Sequence, residues 1–138
     1  MKAYTDLKQS KKLAKILPLE SADMRYGYIA PYDFSDRMYD GGYDEVPYPK
    51  DFLLRNPNFS ANDYDGELPA WSLAALLSVL PSVIIRNDKR MFLTLDKVDA
   101  YDLYYKSDDR LDELWETDFE PIDACYKMIL DLHELKML

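Results

Sequence analysis

A chain of 138 residues, 48% hydrophobic and 31% charged, has room for one well-filled core and is too apolar for a disordered segment. Its net charge of −9 argues against direct nucleic-acid binding, which relies on a basic footprint, and its single cysteine, Cys125, excludes an internal disulfide. The N-terminal MKAYTDLKQSKK lacks the apolar stretch of a signal peptide, and no apolar run approaches the ~20 residues that cross a bilayer, so the expected location is the cytoplasm, off the membrane.

The first predicted element is a helix over residues 5–17, TDLKQSKKLAKIL, with Thr5 or Asp6 as N-cap. Leu7, Ser10, Leu13, Ala14, Ile16 and Leu17 share one half of its wheel, and Lys8, Lys11, Lys12 and Lys15 share the other. Pro18 ends it by disfavouring helical backbone at Leu17. Residues 1–15 hold five lysines against Asp6, a balance of +4, which leaves −13 on the remaining 123 residues. The lysine face reads as an anion strip or, more simply, as the solvated side of an amphipathic helix.

Residues 24–29, MRYGYI, alternate as a strand does, with Gly27 as a weak point. Residues 31–69 show no hydrophobic periodicity and hold five of the eight prolines and three of the four glycines. They read as a long loop rich in Tyr, Asp and Pro, with a possible short helix at Lys50 to Arg55. Residues 70–80, AWSLAALLSVL, lie between Pro69 and Pro81 and predict a helix buried on most sides.

From residue 82 to 107 the pattern predicts a meander of strands at 83–86, 90–96 and 100–106. Asn87-Asp88 makes the first turn, since both residue types tolerate left-handed backbone, and Asp96 to Asp99 the second. Met91, Leu93 and Leu95 share a face, as do Tyr101, Leu103 and Tyr105, while Phe92, Thr94, Asp102 and Tyr104 occupy a partly wet opposite face. A final helix starts at Pro121, which suits the first helical position, with Asp118 or Glu120 as cap. Ile122, Cys125, Tyr126, Ile129, Leu132 and His133 line one side, and Asp123 and Lys127 stand at the spacing that lets charges meet. The expected fold is α+β: a small antiparallel meander of three to four strands, helices on one face, in a single domain spanning residues 1–138.

Few chemistries survive inspection. A calcium loop at NDYDGE, residues 62–67, would have Ala61 first and Ser72 twelfth, so its closing glutamate is missing. One His and one Cys build no familiar zinc site. Cys125 and His133, roughly 12 Å apart along a helix, cannot form a nucleophile–base pair. There is no nucleophile elbow, phosphate loop or dinucleotide fingerprint. No catalytic residue, metal ligand or cofactor is therefore assigned. With 26 acidic residues, a carboxylate pair somewhere is certain and carries no signal.

What stands out is tyrosine, 12 copies against 5 Phe. Tyr32, Tyr39, Tyr43 and Tyr64 precede aspartates in the loop, and Tyr48 lies between two prolines. Tyrosine gives contact area at low entropic cost, so these five are the candidate residues for contacting a protein partner.

Three segments resemble a known group: YTDLKQSKKLAKILPLESADM (4–24), LPAWSLAALLSVLPS (68–82) and PIDACYKMILDLHEL (121–135). They are similar to small uncharacterised proteins of gut Bacteroidales genomes, often found in phage-like or other mobile regions. The likeness covers a little over a third of the chain, at helix and core positions. It implies a cytoplasmic accessory protein of a phage or mobile element and no catalytic site.

Three functions compete at this point. The first is a non-enzymatic protein-binding module that uses the tyrosine-rich acidic loop. The second is an acidic decoy resembling DNA to a host nucleic-acid enzyme, which requires carboxylates arrayed along one face. The third is a small carboxylate-based enzyme, which requires two acids with perturbed pKa values in a cleft.

Overall fold

The computed structural model describes residues 1–29, 32–34, 37–39, 41–49, 68–109 and 113–138. The chain divides into two compact units, Asp6–Ser72 and Met1–Thr5 with Leu73–Leu138. The fold is α+β, with three helices and antiparallel sheets among the described residues.

In the first unit, helix α1 spans Leu7–Leu13. Asp6 is its N-cap and completes a capping box: its carboxylate accepts from the Gln9 N–H at 2.8 Å, and the Gln9 side chain accepts from the Asp6 N–H at 3.1 Å. The helix is shorter than its apolar pattern predicts. Pro18 forbids helical backbone at Leu17, so the last residues close as a hydrogen-bonded turn, with Leu17 N–H on the Leu13 carbonyl at 2.8 Å. Leu13 and Leu17 are buried and all four lysines of the other face are exposed, as a solvated face requires.

The predicted strand 24–29 is interrupted at the buried Gly27 into β1 (Met24–Tyr26) and β2 (Tyr28–Ile29). The span read as a loop carries several short strands among its described residues: β3 (Tyr32–Phe34), β4 (Arg37–Tyr39), β5 (Gly42–Tyr43), β6 (Tyr48–Pro49) and β7 (Leu68–Ala70). Strand β1 is the centre of a three-stranded sheet in the order β6-β1-β7. Pro49 and Pro69 sit opposite Met24 and Arg25, each on an outer strand, where a missing N–H breaks no interior ladder. Helix α1 packs on β7, and Tyr26, Leu68, Ala70 and Trp71 are buried. The Trp71 indole N–H donates to Ser21 Oγ at 2.9 Å, and that hydroxyl donates to the Pro18 carbonyl at 2.6 Å. The expected helix at 50–55 and the sequence NDYDGE lie outside the described residues.

In the second unit, helix α2 spans Leu73–Val79 rather than 70–80, because Ala70 belongs to β7. Ala75 and Leu76 are buried, while Ala74 and Ser78 are exposed, so α2 is covered on one side only. The meander holds: β8 (Val83–Arg86), β9 (Lys89–Lys97) and β10 (Tyr101–Ser107) follow in order. Asn87 and Asp88, at φ 53° and 61°, form the tight left-handed turn between β8 and β9. A fourth strand, β11 (Glu113–Asp118), extends the sheet to the order β11-β10-β9-β8. Ile84, Met91, Leu103 and Tyr105 form the buried side of the sheet. Helix α3 (Pro121–Glu134) packs on β10 and β11, and α2 packs on α3. Its buried side is Ile122, Ala124, Cys125, Met128, Ile129 and Leu132.

Candidate functional site

Among its described residues the tyrosine-rich segment forms two short antiparallel ladders, here called the ribbon. Tyr28 pairs with Tyr43 and Ile29 with Gly42 across β2 and β5. Tyr32 pairs with Tyr39, Asp33 with Met38 and Phe34 with Arg37 across β3 and β4. The two ladders keep one register: four residues outward from the Tyr28–Tyr43 pair on each strand lies the Tyr32–Tyr39 pair. Tyr28–Tyr43 and Tyr32–Tyr39 are thus each a directly opposed cross-strand pair within its own ladder. Gly41, at φ 85°, supplies left-handed backbone just before β5 that a side chain would resist.

At the base of the ribbon the rings of Tyr28 and Tyr43 meet at 5.0 Å between centroids, tilted by 58°. Such a tilt lets a positive ring edge approach a negative ring face. The Lys11 ammonium lies 5.3 Å from the centre of the Tyr43 ring, so one lysine of the α1 face has a cation–π role. Asp44 N–H donates to the Gly27 carbonyl at 2.9 Å and holds the base closed.

Of the five tyrosines singled out in the sequence, Tyr32 and Tyr39 are paired in one ladder and Tyr43 is paired with Tyr28 in the other. Tyr48 does not: it lies in the three-stranded sheet opposite Arg25, and its hydroxyl donates to Asp44. Tyr64 lies outside the described residues. Tyr28, which the sequence did not mark, completes the set, and only its cross-strand pairing identifies it.

A second cluster joins β11 to α3. The Glu116 carboxyl on β11 lies close to that of Asp131 on α3. Burial, followed by this contact with a second carboxyl, pushes Glu116 up to about 7 from its ordinary 4.5. Lys127 faces the pair but binds elsewhere, donating to Asp118 Oδ2 at 2.8 Å and to the Thr117 carbonyl at 3.3 Å. That ammonium holds Asp118 below the usual carboxylate range, and Asp118 in turn holds the Lys127 proton more tightly. Asp123, the expected partner of Lys127, takes Lys2 instead at 2.8 Å. Glu120 is the N-cap of α3 by position only, since its carboxylate accepts from the Lys2 N–H at 2.7 Å. Asp118 Oδ1 accepts from the Glu120 N–H at 3.0 Å.

The carboxyl pair sets a pH dependence. A raised folded-state pKa means the folded chain holds this proton more tightly than the unfolded one. The stabilisation is complete below about 4.5 and is lost as pH rises through about 7. Glu116→Gln keeps a donor to Asp131 and never ionises. Its melting temperature is expected to match the unsubstituted chain at pH 4 and exceed it at pH 8.5. The gain is of the order of 1 kcal/mol after solvent screening, or roughly 4 °C. Equal melting temperatures at pH 8.5 would show that the pair is not under strain. Thermal melts by circular dichroism read the difference.

The two reactive side chains of α3 stay apart. Cys125 is fully buried, and burial pushes its thiol up to about 12, so it is a core residue rather than a nucleophile. His133, expected on the buried side, is exposed, and its Nδ1 lies 3.2 Å from the Leu138 main-chain oxygen. The helix turns about 100° per residue, which places His133 just past Ile122, the edge of the buried arc. Among the described residues no group of three His, Cys, Asp or Glu is placed to hold a metal ion. No described helix is long and apolar enough to cross a membrane. No protein-family model matches the chain, and no curated protein or solved structure matches it either.

Proposed function

We propose that the protein is a non-enzymatic binding module that grips a basic protein surface with its tyrosine ribbon. The observation that carries this reading is that Tyr28–Tyr43 and Tyr32–Tyr39 are both directly opposed cross-strand pairs, in two ladders of common register. Tyrosine is enriched among the few residues that dominate interface energies, and a paired ribbon presents it with little further entropy to lose. Between Tyr28 and Glu45 the chain carries Asp33, Asp36, Asp40, Asp44 and Glu45 against Arg37 alone, so the complementary partner is cationic. The resemblance to proteins of mobile elements fits an accessory role in the cytoplasm, with the ribbon as its contact surface.

The test is affinity capture with the full chain, followed by titration of the purified captured protein. Unsubstituted chain is compared with the triple variant Tyr32→Ser, Tyr39→Ser, Tyr43→Ser, with Tyr48→Ser as control. The triple variant should weaken binding by at least about 100-fold, since hot-spot tyrosines each contribute more than about 1 kcal/mol. The control should change it little, and salt should weaken it for the unsubstituted chain. Equal affinity of the triple variant would overturn the reading.

A further inference from the structure

The four-stranded sheet has a second side, opposite α3, that the ribbon reading does not use. Side chains alternate along each strand, so this side carries Val83 and Ile85 on β8 and Arg90, Phe92, Thr94 and Asp96 on β9. Asp102, Tyr104 and Lys106 on β10 and Glu113, Trp115 and Thr117 on β11 complete it. Ile85 is 69% exposed, Trp115 59%, Phe92 38% and Val83 36%. Single exposed apolar residues are ordinary, but four on one side of one sheet form a patch of the kind that marks an interface.

The charges on this side are sorted along the strands. Arg90 and Lys106 lie at the end nearest the Asn87-Asp88 turn, with Glu113 opposite Lys106. Asp96 and Asp102, directly paired across β9 and β10, lie at the other end. The aromatic residues lie between: Phe92 beside Val83, and Tyr104 beside Trp115. Local contacts hold them upright. Arg90 stacks over Phe92 at 5.7 Å and Lys106 over Tyr104 at 5.7 Å, while Tyr104 donates to Asp96 at 2.7 Å.

We infer that this side is a homodimer interface in which two copies stack face to face with their strands running in opposite directions. A two-fold axis lying between the sheets and perpendicular to the strands sets each strand over its own copy, reversed end for end. The cationic end of one copy then covers the acidic end of the other, and on β9 Arg90 falls opposite the second copy's Asp96. The opposite choice, axis along the strands, would set Asp96 and Asp102 against themselves. Four strands about 4.8 Å apart and some seven residues long give roughly 450 Å² of flat face, and side-chain relief raises the buried area toward the ~800 Å² per partner of stable complexes. The net charge of −9 opposes association of copies, and that long-range repulsion is screened within about 8 Å at physiological salt, so the local match decides. A single nucleic-acid strand stacking on Phe92, Tyr104 and Trp115 is the other occupant such a platform admits, but Asp96 and Asp102 would repel its phosphates.

Sedimentation equilibrium of the full chain tests the inference. The expected result is reversible dimerisation, weakened by at least about tenfold in Trp115→Ser. Arg90→Glu should dissociate the dimer, and Arg90→Glu combined with Asp96→Arg should restore it. All three changes are at exposed positions, and circular dichroism verifies that the fold is kept. A monomer at every concentration, or a dimer indifferent to Arg90→Glu, overturns the inference. So does quenching of Trp115 emission by added single-stranded oligothymidylate, which would give the face to a nucleic acid.

Discussion

Replacing Trp71 with alanine is expected to lower the unfolding free energy by about 3–5 kcal/mol, a third or more of the total for a domain of ordinary stability. Trp71 is fully buried and is the largest such side chain among the described residues. Its loss removes apolar contact and leaves a cavity. It also strips the Ser21 hydroxyl of its donor, and with it the tie between the Pro18–Ser21 turn and the segment after β7. The chain has two tryptophans, Trp71 and the exposed Trp115, so emission separates them. Urea titration of Trp71→Ala, followed by circular dichroism, measures the loss; a midpoint close to the unsubstituted one would mean that Trp71 packs far more loosely than its burial indicates.

The second large effect belongs to Tyr105, fully buried on β10, whose hydroxyl donates to the Pro81 carbonyl at 2.6 Å. Tyr105→Ala should cost about 3–5 kcal/mol through lost packing, whereas Tyr105→Phe should cost about 0.5–1.5 kcal/mol, the net contribution of one hydrogen bond to the half-buried Pro81. Burial raises the phenol well above its ordinary value, so the hydroxyl keeps its proton at neutral pH. The two variants separate the ring from its hydroxyl. Equal losses would place the whole contribution in the hydrogen bond, and a Phe variant as stable as the original would remove that bond from the balance.

Much of the second unit is legible in its residues. Met91, Leu93 and Leu95 alternate cleanly, and Asn87-Asp88 stands where only left-handed-tolerant residues serve, so β8 to β10 follow almost to the residue. Strand β11 does not announce itself. Its inward positions are Leu114, Glu116 and Asp118, only half-buried, and an edge strand with two inward acids gives no apolar alternation. The ribbon is illegible for a different reason. Tyr, Asp, Gly and Pro each read locally as loop formers, and its order lies in the pairing of residue 28 with 43 and of 32 with 39, which no local window contains. The Glu116–Asp131 contact is hidden likewise, since it joins a strand to a helix fifteen positions on and is one pairing among 26 acids.

The two prolines on the outer strands of the three-stranded sheet have a bearing on the fate of the chain at high concentration. A bare strand edge is a template on which a further chain can add, and repeated addition is how ordered aggregates grow. Among the described residues, β6 and β7 flank β1, and each carries one residue, Pro49 or Pro69, that cannot donate to an incoming strand. Each interrupts the run of donors that a growing fibril would need. The same tyrosine-rich, apolar-flanked segment that would otherwise invite templated growth is thereby bordered by residues that stop it.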